Sequence, residues 1–225
     1  MSPSQLLFRE ITSCERCPRL VRFRQEIAQR KRKQYTHWDY WGRPVPGYGN
    51  PQAKLLIVGL APAAHGGNRT GRVFTGDKSA EFLMQCLFTT GFSNQPHSLS
   101  SNDGLELPNT YMTPVLKCVP PQDKPRSEEL TNCFPFFQQE LQQLKHLRVL
   151  LALGRIAFDA CLRFARQQYP FKKKDYPFRH GGRYRLPSGL WIVASYHPSP
   201  RNVNTRRLTQ PMMITLLSQL KELLE

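Results

Sequence analysis

Lys54-Leu55-Leu56-Ile57-Val58-Gly59-Leu60-Ala61-Pro62-Ala63 is an apolar run that ends at a glycine and turns into a proline-bearing loop. The run is continuously hydrophobic rather than alternating, as a strand buried on both faces of a parallel sheet must be. Three further stretches read the same way: Thr110–Leu116, Arg148–Leu153 and Leu190–Ser195. Helical patterns separate them. After Asp77, apolar residues recur at Ala80, Leu83, Met84, Leu87 and Phe88, and the stripe stops at Gly91. Ser127 is placed to cap a helix whose first turn holds Glu128 and Glu129 and whose buried face holds Leu130, Cys133, Phe134, Phe137, Leu141 and Leu144. Ile156–Gln167 and Pro211–Leu224 complete the set. Strands alternating with helices predict α/β, a three-layer α/β/α domain around a central, mostly parallel four-stranded sheet. At 225 residues the chain suits a single domain over its whole length.

Two motifs follow strands of this set. One is Gly59-Leu60-Ala61-Pro62-Ala63 with its tail Gly71-Arg72-Val73-Phe74-Thr75-Gly76-Asp77; the other is His197-Pro198-Ser199-Pro200-Arg201-Asn202. Loops leaving the carboxyl ends of parallel strands gather on one edge of the sheet, where ligands bind. The two motifs are therefore expected to face each other across one pocket.

Lys and Arg number 32 against 16 Asp and Glu, a net charge of +16, spread over Arg22–Lys33, Arg69–Arg72, Lys172–Lys174, Arg179–Arg185 and Arg201–Arg207. A field of that sign and spread favours a polyanion, although a plain basic surface has the same composition. Three irregular segments, Thr36–Pro51, Pro96–Pro108 and Tyr169–Ser188, interleave Trp38, Tyr40, Trp41, Tyr48, Phe178 and Tyr184 with Pro, Gly and Arg. Such rings can stack on bases, or pin loops to the core. No window approaches about 18 uninterrupted apolar residues, so no membrane span is expected. The first residues lack a secretory signal, which points to a cytoplasmic location.

In a reducing compartment the six cysteines read as metal ligands or core thiols. Cys14 and Cys17 form a C-x-x-C pair just before the first expected helix. Cys118 follows the second strand, and Cys133 lies 15 positions further on. Four thiolates could close one site and staple the N-terminal helix to the body. The spacing leaves zinc and iron–sulfur both open. Cys86 and Cys161 fall on helical stripes and read as core.

The ordered series of motifs resembles the uracil-DNA glycosylase superfamily, and within it the iron–sulfur-bearing type-5 branch of prokaryotes. The matching residues are Cys14-x-x-Cys17, Tyr40-Trp41-x-x-Pro44-Val45-Pro46-Gly47, Gly59-Leu60-Ala61-Pro62, Arg69-Thr70-Gly71-Arg72-x-Phe74-Thr75-Gly76-Asp77, Cys118 with Pro120-Pro121, Cys133, and His197-Pro198-Ser199-Pro200-x-Asn202. The resemblance implies a monomeric enzyme, working on nucleoid DNA, that extrudes uracil or another deaminated base and hydrolyses its N-glycosidic bond. It implies a structural [4Fe–4S] cluster on Cys14, Cys17, Cys118 and Cys133. His197 would donate to the departing base, and Asp77 would position water in place of the polar residue that many relatives carry where this chain has Ala61. Gly59, Ala61, Phe74, Asp123 and Asn202 would line the base site, with Phe74 stacking on the base. Asp123 stands where the family commonly has Asn; an ionised carboxylate accepts hydrogen bonds but cannot donate them. The loop of Pro200, Arg201 and Val203 would wedge into the duplex, with Arg201, Arg206 and Arg207 on the DNA.

Two other readings compete. A non-catalytic nucleic-acid-binding protein with a structural four-cysteine metal site leaves the paired motifs unexplained. A nucleotide-binding α/β enzyme lacks any glycine-rich phosphate loop after a strand.

Overall fold

A computed structural model describes residues 2–225. Five-residue strands β2 (Leu55–Gly59), β3 (Thr110–Pro114), β4 (Val149–Leu153) and β6 (Trp191–Ser195) form the expected parallel core. The sheet has six strands rather than four. Short β1 (Tyr48–Gly49) and β5 (Arg183–Arg185) run antiparallel along its two edges, in the order β1-β3-β2-β4-β6-β5. Strands of two and three residues carry neither an apolar run nor a visible period, and both lie in segments that read as irregular.

The strand residues divide by parity between two faces. Leu55 and Ile57 join Val149, Leu151 and Val193 beneath α4 (Lys78–Thr89) and α8 (Gln210–Leu224). Leu56 and Val58 join Leu150, Ala152 and Ile192 beneath α5 (Ser127–Gln143) and α6 (Arg155–Arg166). Both faces are dry, which is why the strands read as unbroken apolar runs. Ser127 proves to be the first helical residue of α5. The residue before it, Arg126, takes the cap position, and its backbone N–H donates to Glu129 Oε2 at 2.7 Å.

A third cluster packs α1 (Pro3–Thr12) and α2 (Pro18–Arg30) against the body through Leu7, Ile11, Leu20, Leu116 and Phe136. The C-x-x-C pair thus lies between two helices, with α1 ahead of it. Thr12 ends α1, and Cys17 occupies the N-terminal boundary of α2 with Pro18 as the first helical residue, a position where the missing N–H costs nothing.

From β2 the chain passes to β3 on one side, then crosses to β4 on the other. The connections diverge at the carboxyl ends of β2 and β4, the position where an open α/β sheet leaves a crevice.

Candidate active site

A cleft of about 1090 Å³ opens at this crevice. Leu60–Gly66 after β2, Phe74, Gly76 and Asp77 ahead of α4, Lys78 and Ser79 at its start, and His197, Ser199 and Pro200 after β6 all line it. The two motifs therefore do share one pocket. Short α3 (Gly67–Thr70) connects the halves of the first motif.

Asp77 is the N-cap of α4. Its Oδ1 accepts both cap bonds, from Ser79 N at 2.9 Å and Ala80 N at 3.1 Å, and Oδ2 takes no hydrogen bond among the described residues. A cap and a water-holding carboxylate are thus compatible in one side chain. Burial raises the Asp77 pKa above the usual carboxylate value, while the two cap N–H groups and Arg69 oppose the rise. Gly66 makes room for it: a Cβ at Gly66 would sit 2.2 Å from Asp77 Oδ2.

Across the cleft, burial lowers the His197 pKa to about 4, so the imidazole is neutral at pH 7. Its loop is fixed by Asn202, whose Nδ2 donates to the His197 carbonyl at 2.8 Å. Asn202 is not among the residues that line the cleft, and its amide holds the loop at His197. Phe74 is 7% exposed and lines the cleft with a left-handed backbone, φ 48°. Its ring lies over Gly59, where a Cβ would come within 2.7 Å of Phe74 Cζ. Gly59 is thus the floor under the ring and not a lining residue. Ala61 and Asp123 do line the cleft, and Asp123 (φ 57°) follows Gln122 (φ 56°) in a strained pair of left-handed residues.

The DNA-directed residues separate. Pro200–Asn204 is a short helix, α7, that leaves Arg201 exposed, with Val203 partly buried against the core. Arg206 is exposed, and Arg207 lies over the Tyr196 ring at 4.4 Å. Several aromatics pin loops: Tyr40 Oη meets His65 Nδ1 at 3.0 Å, Trp41 Nε1 donates to Pro44 O at 3.0 Å, and Tyr48 Oη to Leu105 O.

Cys14, Cys17, Cys118 and Cys133 line one small cavity with Leu20, Pro44 and Phe136. All six cysteines are free thiols, and Cys86 and Cys161 are fully buried in the core.

A family description for the uracil DNA glycosylase superfamily matches residues 46–221. The chain belongs to the uracil DNA glycosylase superfamily. Within it, the chain is 46% identical over 213 residues to the type-5 uracil-DNA glycosylase of Thermus thermophilus, covering 95% of this chain and 94% of that one. It is 44% identical over 207 residues to the type-5 uracil-DNA glycosylase of Pyrobaculum aerophilum, covering 92% and 87%. A type-4 uracil-DNA glycosylase of Sulfurisphaera tokodaii is 25% identical over 202 residues, covering 85% and 80%.

Several residues that line this superfamily member's cleft carried no assigned role in the sequence: Tyr35, His65, Arg69, His97 and Leu99, beside Trp38, which was read only as a stacking or loop-pinning ring. Arg69 is 3% exposed; it donates from Nε to His65 O at 2.7 Å and from Nη2 to Gly76 O at 3.2 Å. Tyr35 and Trp38 stack on its guanidinium at 3.9 and 4.1 Å. Arg69 was visible within the quoted motif, but only the fold shows that it ties both halves of the loop together. No helix of the described residues is long and apolar enough to cross a membrane.

Proposed function

We propose that this chain is a hydrolase of DNA repair that flips uracil out of DNA and cleaves its N-glycosidic bond, leaving an abasic site. One observation carries the reading: neutral His197 and the free oxygen of Asp77 belong to a single cleft whose wall includes Phe74. The type-5 relatives named above bear the same activity in their names.

The chemistry follows from where charge develops. Cleavage builds negative charge on the leaving base and positive charge on the sugar. A neutral imidazole donates a hydrogen bond to the base's carbonyl oxygen without adding a buried cation, and preorganised donors of this kind are worth most in a water-poor site. Asp77 Oδ2 accepts from the attacking water and holds it toward C1′, a task beyond Ala61. Phe74 stacks on the extruded base. Asp123 accepts from the ring N–H of uracil, an edge also offered by other deaminated bases. Extrusion costs a few kcal/mol, least for mispaired bases. Exposed Arg201 and Arg206 serve the phosphates.

For the four cysteines we propose a [4Fe–4S] cluster rather than a single zinc ion. The four thiols line a common small cavity. Arg24 supports a bulky anionic occupant: it is 4% exposed, donates from Nη2 to Cys14 O at 3.3 Å, and has a buried Nε with no partner. Such a cluster would bind α1 and α2 to the body through Cys14 and Cys17, with no part in hydrolysis.

Incubation with uracil-containing DNA followed by alkali tests the activity: strand breaks at uracil are expected, and intact strands would refute it. Purified protein is expected to be brown with four iron atoms per chain on the [4Fe–4S] reading. Colourless protein with one zinc would reject the cluster and keep the four-ligand site.

A further inference from the structure

We propose that Leu99 is the apolar wedge that enters the base stack of duplex DNA when the target nucleotide leaves it. The proposal rests on the glycosylase reading above and adds a residue to it.

Leu99 is 60% exposed, the most exposed large hydrophobic side chain among the described residues, and it stands on the wall of the catalytic cleft. Exposed apolar side chains are ordinary when scattered. This one is distinguished by how firmly its backbone is held. Leu99 N and Ser100 N both donate to Asp103 Oδ2, at 2.7 and 3.2 Å. Asp103 is in turn gripped by Arg72 Nη2 at 2.8 Å to each carboxylate oxygen, and Arg72 is 3% exposed. Next door, Gly76 N donates to Ser98 O at 2.8 Å, and Ser98 Oγ meets Thr75 Oγ1 at 2.6 Å. The tip that presents Leu99 is therefore bolted to the segment that carries Phe74 and Asp77. A rigid backbone with an apolar side chain left in water is the arrangement expected of a group whose burial partner arrives with the substrate.

The occupant we assign is the gap in a base stack. Removing a nucleotide from a duplex exposes the faces of its neighbours, and aliphatic side chains are suited to fill that space. The surroundings have the matching charge: Lys78 and Arg32 line the same cleft, and Lys78 is largely exposed. Elsewhere on the cleft, Pro200 is followed by exposed Arg201, which offers a cation, while Val203 is partly buried against the core and less exposed than Leu99. The two segments thus divide the work, apolar filling by Leu99 and phosphate contact by Arg201.

The test compares single-turnover uracil release from a U·A duplex and from the same strand alone, in the parent and in Leu99→Ala. A second measurement follows the fluorescence of 2-aminopurine, bright only when unstacked, placed beside the uracil under saturating protein. In Leu99→Ala the duplex-to-single-strand rate ratio is expected to fall about 10–100-fold, since each 1.36 kcal/mol of lost extrusion energy is tenfold in rate. The 2-aminopurine signal should fall with it, and Leu99→Met should restore both. An unchanged ratio, or an equal loss on both substrates, would overturn the wedge. If the parent releases no uracil from either substrate, the glycosylase reading fails by itself. The fluorescence arm then still decides the wedge, because equal brightening by parent and Leu99→Ala rejects it and a deficit confined to Leu99→Ala supports it.

Discussion

Asp77 and His197 line one cleft, and burial moves their pKa values in opposite directions. Both shifts favour the neutral form, as desolvation must. For His197 this removes any titration near pH 6.5, the ordinary value for the residue. The rate of uracil release should therefore be flat through neutral pH. It should fall on an acidic limb that lies above the usual Asp range, because protonated Asp77 can no longer accept from water. Asp77→Asn keeps the cap, since Asn caps as well as Asp. Its melting temperature should match the parent's, while its rate collapses and the acidic limb disappears; a parental rate would make Asp77 a cap alone. His197→Ala should slow single-turnover release by about 10²–10³ with duplex affinity almost unchanged, as expected for a lost donor to a developing oxyanion. Loss of affinity in place of rate would move His197 from chemistry to binding. His197 was legible because it follows a recognisable strand, and Asp77 because it opens a recognisable helical stripe. The partner of Asn202 was not legible, because a motif position does not tell whether an amide faces a base or the carbonyl of His197 five residues before it.

Among the elements, the loop of residues 96–108 is anchored in part by the Arg72–Asp103 ion pair. Burial opposes the ionised form of Asp103, but Arg72 and three backbone N–H donors outweigh it and hold the carboxyl below its usual pKa. A folded-state pKa below the unfolded value stabilises the fold above the unfolded pKa, about 3.9, and the contribution is lost as pH falls through the lower folded value. Asp103→Asn leaves the Arg72 charge buried and unpaired, which typically costs about 3–5 kcal/mol. Calorimetry at pH 7 should show that loss. The difference between variant and parent should narrow as pH falls below about 3.9, where Asp103 of the unfolded parent takes up a proton, and close once the pH passes the lower folded value. A constant difference down to acid pH would mean the pair contributes little. This loop had no readable period, so neither Leu99 nor its anchor could be assigned from sequence. The central strands could, because burial on both faces writes itself as Leu55–Val58 and Val149–Leu153. Edge strands β1 and β5 were invisible for the opposite reason: Tyr48, Gly49 and Arg183–Arg185 are half-exposed or exposed, and backbone pairing alone selects no residue type.

Over the whole molecule, the net charge of +16 sets how the protein meets DNA. Engagement of about four to six phosphates gives a log–log salt slope of roughly −4 to −5. A nearly flat dependence in a filter-binding series would show that the charge serves something other than the phosphate backbone. Trp38 adds a consequence of a different kind. One face of its indole rests on the Arg69 guanidinium while the ring forms part of the cleft wall, whereas Trp41 and Trp191 lie outside that wall. The molecule therefore carries its own optical reporter. Ultraviolet emission from this single ring should respond when a nucleotide enters, so occupancy of the cleft can be followed in real time with unlabelled DNA, and Trp38→Phe should silence the signal.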